Sequence, residues 1–168
     1  MKYAAIISND VTNGEGVCVS FFVQGCPHHC KGCFNPETWD FDGGYEFNKG
    51  YTLNKILKAI NANGVERNFN VLGGEPLATQ NLELTHMVVE AVRLQYPNIK
   101  ISLWTGYTME EIFSESIKNN ILADIINKLD LIIDGPFIEE EKDLSLRLRG
   151  SRNQHIYKKI NGEWKLDE

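Results

Sequence analysis

The sequence predicts an α/β fold with a mainly parallel sheet, and two observations lead to this prediction. Short apolar runs rich in β-branched and aromatic residues alternate along the chain with segments of helical periodicity. Turns containing glycine directly follow several of these runs. Alternating strands and helices form parallel sheets through right-handed crossovers, so the carboxyl ends of the strands meet at one edge. Ligand sites in such sheets lie beyond that edge, and we expect the functional residues there.

The individual elements are predicted from apolar spacing and from the residues that begin or end them. Strands are expected over residues 3–7, 17–23, 69–72, 99–103 and 131–133, the first of them at an edge of the sheet. Helices are expected over residues 52–62, 82–96 and 121–129, with a further helix beginning at residue 108. Thr52 and Thr108 are the predicted N-caps. Asn161-Gly162 predicts a type I′ turn between two short strands.

Composition predicts a single domain, residues 1–168. Hydrophobic residues make up 42% of the chain and charged residues 24%, which is typical of a globular protein. The formal charge of -6 argues against affinity for nucleic acid, whose backbone requires a basic surface. No apolar run approaches the ~20 residues that span a bilayer, and the first residues lack the apolar core of a signal peptide. We therefore expect a cytoplasmic protein with reduced thiols, acting without nucleic acid or membrane.

The most informative stretch contains three of the four cysteines, Cys26, Cys30 and Cys33, in the pattern CxxxCxxC. Three thiolates this close repel one another unless a cation lies between them, so the spacing predicts a metal centre. A structural zinc site takes four ligands, and a 4Fe-4S cluster that only carries electrons takes four cysteines. Three cysteines leave one iron of such a cluster open to a substrate. The alternative is a zinc site completed by His28 or His29.

Other residues in and near this loop have simpler interpretations. If His28 and His29 are not ligands, we expect them to face solvent or to donate hydrogen bonds to cluster sulfur. Cys18 lies in a predicted buried strand, where a free cysteine behaves as a small hydrophobic residue. The predicted metal centre therefore involves only the three cysteines of the loop.

The cysteine triplet is followed downstream by Gly73-Gly74-Glu75-Pro76, and this order of motifs resembles the radical S-adenosylmethionine enzymes. Within that superfamily, the segments that flank the two motifs are similar to the activating enzymes of glycyl-radical enzymes. Two later segments resemble the branch of those activating enzymes that acts on anaerobic ribonucleotide reductases. The segments that carry the resemblance are residues 13–16, 21–26, 32–39, 134–137 and 149–154.

The resemblance implies a fold, two cofactors and the residues that bind them. The fold would be a shortened, incomplete radical-SAM partial β/α barrel. Cys26, Cys30 and Cys33 would hold a 4Fe-4S cluster with one open iron and would thereby take part in catalysis. S-adenosylmethionine (SAM) would bind that iron. The other residues expected to contact SAM are Gly32, Cys33, Phe34, Gly73, Gly74, Glu75, Thr105 and Gly106.

Without the resemblance, two of these segments have plainer interpretations. Gly73-Gly74-Glu75-Pro76 reads as a turn that opens a helix, with a favourable acidic residue in the first turn and proline at the first position. Thr105-Gly106 lies between aromatic residues that would fit a core. Both segments follow predicted strands and share an edge of the sheet with the cysteine loop, which favours the functional interpretation.

The resemblance also implies a reaction and its partners. A deoxyadenosyl radical formed from SAM would remove a hydrogen atom from a glycine of an anaerobic ribonucleoside-triphosphate reductase, and a donor such as flavodoxin or ferredoxin would supply the electron. The alternatives are an activator of another glycyl-radical enzyme, of the formate-lyase type, and a zinc-binding interaction module. We hypothesise that residues 149–154 contact the reductase; a solvated surface of mixed charge is the equal alternative.

Overall fold

The computed structural model describes residues 1–168 and contains one eight-stranded sheet and four α-helices. The strands are β1 (Lys2–Asp10), β2 (Cys18–Val23), β3 (Tyr45–Glu46), β4 (Asn68–Gly73), β5 (Ile101–Trp104), β6 (Leu131–Asp134), β7 (His155–Ile160) and β8 (Glu163–Leu166). The helices are α1 (Lys49–Ile60), α2 (Leu82–Gln95), α3 (Met109–Ser116) and α4 (Asn120–Lys128). None of these helices has the length and apolarity that crossing a membrane requires.

The sheet has the strand order β3-β1-β2-β4-β5-β6-β7-β8. The four central strands, β2, β4, β5 and β6, run parallel to one another. β1 and β3 on one side, and β7 and β8 on the other, are joined by antiparallel pairing. The predicted α/β class is confirmed, and the predicted parallel arrangement applies to the four central strands. Their carboxyl ends lie at one edge, as the alternation of elements indicates.

Two predictions about the first half of the chain are wrong. The strand predicted at residues 3–7 is not at an edge, because β3 pairs along its outer side. Thr52 does not cap α1, which begins three residues earlier behind Asn48. The side chain of Asn48 accepts a hydrogen bond of 2.9 Å from the Tyr51 amide. Asparagine is among the best N-cap residues, so the upstream cap sets the start of the helix and Thr52 is buried inside it.

Two other local predictions are confirmed. Thr108 caps α3 through a capping box, in which its side chain accepts from the Glu111 amide and the Glu111 carboxylate accepts from the Thr108 amide. The strands β7 and β8 form the predicted hairpin. Asn161 and Gly162 both have positive φ, 52° and 82°, as a type I′ turn requires.

Helices cover one face of the sheet, and the main core lies between them and the strands. Side chains alternate between the two faces of a strand, so every second residue points toward the helices. The fully buried strand residues of this core are Val19, Phe21, Val23, Phe69, Val71, Ile101, Leu103 and Ile132. The fully buried helix residues are Ile56, Ile60, Leu84, Val88, Val89, Val92 and Ile125. Each large side chain contributes about 1.5 to 3 kcal/mol through burial, and together they hold the sheet in place.

The opposite face of the sheet has a polar centre and is covered by loops. The Asn70 amide donates to the hydroxyl of Ser20 (3.0 Å) and to the carbonyl of Asn13 (2.7 Å). We call residues 11–17 the covering loop, since Asn13 belongs to it, and residues 142–150 the strap. The strap reaches this face through its Leu148 carbonyl, which accepts a hydrogen bond of 2.8 Å from the Trp104 indole. Because loops leave more space than packed helices, a cavity remains on this side.

One guanidinium connects the two loops. Arg147 of the strap pairs with Glu15 of the covering loop (2.8 Å), with Glu168 (2.8 Å) and with Asp167. Arg149 pairs with the other oxygen of Glu168 (2.8 Å). A single exposed ion pair stabilises a protein by less than about 1 kcal/mol, but here one side chain joins three carboxylates from two chain segments. The network therefore holds the strap and the covering loop together over the polar face.

Asp10 orders the start of the covering loop. Its carboxylate accepts hydrogen bonds from the amides of Thr12 (2.9 Å) and Asn13 (3.1 Å). Burial alone would raise the pKa of Asp10, but hydrogen bonds from Ser20, Asn13 and Thr12 outweigh it and lower the pKa to about 2. The folded protein therefore prefers the charged form of this side chain.

We predict that Asp10→Asn lowers the free energy of unfolding of the metal-free protein by about 1 to 2 kcal/mol at neutral pH. Since the pKa is lower in the folded state, the stabilisation by the wild-type carboxylate is complete above about pH 4 and is lost as the pH falls through about 2. Urea unfolding at pH 7, 4 and 2.5 measures this, with the exposed Asp42→Asn as control. Equal acid sensitivity of the wild type and Asp10→Asn would contradict the assignment.

Candidate metal and cofactor site

The cysteine loop leaves the end of β2 at Gly25, and its base is fixed by backbone contacts. The Gly25 amide donates to the Thr38 carbonyl (2.7 Å), and the Cys26 amide donates to the Trp39 carbonyl (3.1 Å). Gly25 has a φ of 98°, and a Cβ at this position would overlap the ring of Phe41. The start of the loop is therefore held against the segment that follows it.

The three loop cysteines are free thiols and are all partly buried. The Cys33 amide donates to the Cys30 carbonyl (3.1 Å), which forms a tight turn, and the Asn35 amide donates to the Cys33 sulfur (3.4 Å). Burial raises the pKa of Cys26 to about 11, with the nearby Glu75 carboxylate acting in the same direction. A thiolate at this position therefore requires a strong positive partner such as a metal centre.

The spacing of the thiols is wider than a single ion requires. The structure contains one set of three His, Cys, Asp or Glu ligand atoms that all lie within 4.8 Å of one another, and it is the surface group His86, Glu90 and Asp124 rather than the cysteines. A tetrahedral zinc ion with Zn–S bonds of about 2.3 Å holds its sulfur ligands roughly 3.8 Å apart. A cluster with a separate iron for each cysteine suits a wider arrangement.

Both loop histidines contact protein side chains. His28 Nε2 lies 2.9 Å from Glu75 Oε2, and its ring meets the ring of Tyr107 edge-on at 4.7 Å between centroids. His29 packs against Trp39 at 4.8 Å between centroids. The bond to Glu75 raises the pKa of His28, against the effect of burial. The Nε2 atom of His28 is therefore engaged by Glu75, while His29 is exposed, as expected.

Gly73 and Gly74 bring the end of β4 into direct contact with the base of the cysteine loop. The Gly74 amide donates to the Val23 carbonyl, and the Glu75 amide donates to the Gly25 carbonyl, both at 2.9 Å. A Cβ at residue 74 would overlap that same Gly25 carbonyl. Gly73 has a φ of 104°, which other residues rarely adopt. Both glycines are therefore required by the geometry.

The Glu75 carboxylate is buried, 1% exposed, and both of its oxygens are hydrogen-bonded to protein groups. One oxygen accepts from the Thr105 hydroxyl (2.8 Å) and the Leu77 amide (2.9 Å). The other accepts from the Gly106 amide (2.7 Å) and lies beside His28. Glu75 thus connects the ends of β2, β4 and β5. The Glu75 carboxylate therefore holds Thr105 and Gly106, which are predicted to contact SAM, at this edge of the sheet.

Asn81 is a residue of the candidate site that sequence reasoning missed. Its side-chain amide donates to the carbonyls of Gly25 (3.0 Å) and Glu75 (2.9 Å), so it closes the contact between the two loops. Asn81 directly precedes α2 and is 4% exposed. An asparagine before a helix is indistinguishable in sequence from an ordinary N-cap, so no local signal could have identified it.

A cavity of about 440 Å³ opens at this edge of the sheet. All of the predicted cysteine and cofactor residues line it except Gly32, whose missing Cβ would instead lie 2.8 Å from Glu139 Oε1. Phe34 lies at the cavity, 53% exposed, 5.0 Å from Phe137 between ring centroids. The lining residues that sequence reasoning missed come mainly from the polar face of the sheet, the covering loop and the strap: Phe22, Leu72, Trp104, Thr12, Asn13, Leu144, Leu146, Leu148 and Arg149.

Comparisons with known proteins identify the family. A family model described as a 4Fe-4S single cluster domain matches residues 12–157. Curated relatives named anaerobic ribonucleoside-triphosphate reductase-activating protein include one from Pasteurella multocida, 35% identical over 159 residues that cover 94% of this chain and 98% of the relative. The relative from Escherichia coli K12 is 32% identical with the same coverage, and that from Enterobacteria phage T4 is 34% identical over 99% of this chain and 100% of the relative.

This chain belongs to the family of anaerobic ribonucleoside-triphosphate reductase-activating proteins. The matched 4Fe-4S model spans the cysteine loop and all four central strand ends, so the predicted presence of an iron-sulfur cluster domain is confirmed. The family relationship covers the whole architecture described above rather than the cysteine motif alone.

In this family member, most of residues 149–154 form hydrogen bonds or ion pairs within the chain. Arg149 pairs with Glu168 and donates to the Gln154 carbonyl (3.3 Å). The Gln154 side chain accepts from the Gly150 amide (2.9 Å) and donates to the Gly135 carbonyl (2.9 Å). Arg152 is exposed and forms no ion pair. Within the segment, Arg152 is thus the cation that remains free for a partner.

We predict that Gly74→Ala lowers the free energy of unfolding of the metal-free protein by about 1 to 3 kcal/mol, since the added methyl group pushes β4 away from the cysteine loop. It should also lower the iron content after reconstitution. The matched control is Gly50→Ala in the first turn of α1, where the nearest atom to a Cβ is 3.7 Å away. Urea unfolding and iron analysis measure both effects. Equal stability of the two variants would show that the close approach is dispensable.

Proposed function

We propose that this chain activates an anaerobic ribonucleoside-triphosphate reductase by generating a glycyl radical on it, using a 4Fe-4S cluster and SAM. The observation that carries the proposal is the position of the three cysteines at the wall of a cavity that the ends of β4 and β5 complete. Relatives over the full chain are named as activators of this reductase. The matched 4Fe-4S family model supports the cluster.

Cys26, Cys30 and Cys33 would be the three ligands of the cluster, leaving one iron open. A reduced cluster of this kind supplies the electron that cleaves SAM into methionine and a 5′-deoxyadenosyl radical. The donor set fits, because three half-buried thiols face one cavity and their wider spacing suits a multi-iron centre. The chain itself positions the ligands and keeps water away from them.

SAM would occupy the cavity, whose volume of about 440 Å³ lies in the range of small-molecule sites. The backbone of Gly73 and Gly74 would approach it closely, since neither residue has a side chain in the way. The other proposed contacts are Cys33, Phe34, Thr105 and Gly106, whereas Gly32, also predicted to contact SAM, does not line the cavity. Glu75, predicted to contact SAM, has its carboxylate oxygens engaged by protein donors, so we assign it the task of holding these loops together.

The open sheet supports the proposal that the fold is a shortened, incomplete radical-SAM barrel. Its polar face is covered by the strap and the covering loop, and this face would correspond to the barrel interior. We propose that residues 1–168 act as one radical SAM domain. In this arrangement the cavity stays accessible from the edge of the sheet, which a glycine-bearing loop of the reductase must reach.

The proposed partners are the glycyl-radical subunit of the reductase and an electron donor such as flavodoxin or ferredoxin, in the cytoplasm. The net charge of -6 supports action without nucleic acid. An activator of the formate-lyase type remains the alternative within the enzyme class, but the relatives found here name the reductase. A zinc-binding module is the alternative from another class, and the matched 4Fe-4S family model supports the cluster instead.

We predict that anaerobically reconstituted wild-type protein binds about four iron atoms per chain and gives a reduced-cluster electron paramagnetic resonance (EPR) signal that changes when SAM is added. Alanine at residue 26, 30 or 33 should reduce the iron to less than about one atom per chain. The matched control is Cys18→Ala, because Cys18 lies buried in β2 away from the cavity. Stoichiometric zinc would refute the activase and support the zinc module, whereas a cluster signal that does not change with SAM would refute the activase alone.

We also predict that the reduced, SAM-loaded protein produces a glycyl radical signal on its reductase. If Arg152 docks the partner, Arg152→Glu should lower the affinity for the reductase at least about tenfold at low salt, with the cluster unchanged. Lys118→Glu, on another part of the surface, serves as the charge-matched control. Unchanged affinity of Arg152→Glu would exclude this docking role while leaving the radical chemistry intact.

A further inference from the structure

Two side chains join the cysteine loop to the loop after β4: Asn81 at the base of the loop, and His28 between two of the cysteines. His28 stands between Cys26 and Cys30, and its Nε2 lies 2.9 Å from the buried Glu75 carboxylate. Two neighbours pack against the imidazole, since a Cβ at Gly106 would lie 2.7 Å from Nε2 and the Tyr107 ring meets it edge-on. This contact is the only side-chain hydrogen bond from the cysteine loop to the Glu75 carboxylate.

We infer that His28 is a positioning residue, which sets the distance between the cluster ligands and the SAM-binding ends of β4 and β5. The inference rests on the proposed function, because it concerns the same site. The Glu75 carboxylate accepts hydrogen bonds from Leu77, which follows β4, and from Thr105 and Gly106, which follow β5. His28 connects the loop after β2 to the same carboxylate. The cluster and SAM would be held by different loops, so their separation depends on what connects those loops.

Removal of the imidazole has a specific expected consequence. The three cysteines and the backbone contacts of Gly25 and Cys26 remain, so the loop still folds and still holds iron. Glu75 keeps its three other donors, so the ends of β4 and β5 stay joined. The loop segment between Cys26 and Cys30, however, loses its side-chain hydrogen bond to Glu75 and thus its attachment to the ends of β4 and β5. SAM would contact both the cysteine loop and the ends of β4 and β5, so its binding is weakened when their relative position is no longer fixed. The iron content is retained.

A ligand role for His28 makes the opposite prediction. If the imidazole completed a metal site, its removal would lower the metal content directly. A purely structural role would lower stability and leave SAM affinity unchanged. The three roles are therefore separated by measuring iron content, SAM affinity and stability on the same variants.

The experiment compares the wild type with His28→Ala, His28→Gln and His29→Asn after anaerobic reconstitution. Glutamine can restore a donor to Glu75, and asparagine is a fitting control because His29 has a φ of 49°, which asparagine tolerates. Iron and sulfide content, the EPR signal with and without SAM, and the SAM dissociation constant from calorimetry are measured for each. Urea unfolding of the metal-free forms, including Glu75→Gln and the double variant His28→Ala/Glu75→Gln, measures the coupling of the two side chains.

We expect His28→Ala to retain its iron and its signal without SAM but to bind SAM at least about tenfold more weakly, because the site is then less preorganised. His28→Gln should recover most of this loss of SAM affinity, and His29→Asn should match the wild type. In urea unfolding, the shifts of the midpoint caused by His28→Ala and by Glu75→Gln should not add up in the double variant. Unchanged SAM affinity, or loss of iron in His28→Ala, overturns the positioning role. An EPR signal of the wild-type protein that does not change when SAM is added overturns the proposed function and this inference together.

Discussion

The candidate site depends on one close backbone contact, between Gly25 at the end of β2 and Gly74 at the end of β4. The Glu75 amide and the Asn81 side chain both donate to the Gly25 carbonyl, at 2.9 and 3.0 Å. A side chain at residue 74 would occupy the space of that carbonyl, so the contact forms only with glycine. Because β2 and β4 are adjacent and parallel, the contact brings the cysteine loop and Glu75 to the same edge of the sheet.

The electrostatics of the site follow from this proximity. Half-buried thiols and a buried carboxylate lie side by side, and burial together with the Glu75 charge raises the pKa of Cys26 to about 11. The Glu75 charge is balanced by amide and hydroxyl donors and by the imidazole of His28, so the carboxylate itself is satisfied. The donors given for the thiols are backbone amides alone, those of His28 and His29 at Cys26 and that of Asn35 at Cys33. Negative charge on all three would therefore be stable only with a cationic centre between them, which matches the iron-sulfur chemistry of the family.

The sequence predicts the parts of this structure that local patterns determine. Helix and strand periodicity, the Thr108 cap and the Asn161-Gly162 turn are local, and the rule for parallel sheets places the strand ends at one edge without knowledge of side-chain contacts. The parts it misses are fixed by contacts between distant residues. Glu75 and His28 are 47 positions apart, and neither carries a pattern that names its partner. The strap is likewise unpredictable, since irregular backbone has no period and Arg147 finds its carboxylates only in the folded chain.

The different coverage of the two sheet faces explains why a small chain can form a cavity beside the cysteines. The helices use the apolar face, where close packing of Val, Ile, Leu and Phe leaves little free volume. On the other face, the polar residues Ser20, Asn70 and Ser102 are buried, and the Asn70 amide donates to Ser20 and to the covering loop. Loops held by the ion pairs of Arg147 can cover that face without filling it, and the remaining space lies beside the cysteines. Replacing this polar row with apolar residues would therefore favour collapse of the loops onto the sheet, and the cavity would be lost before the core.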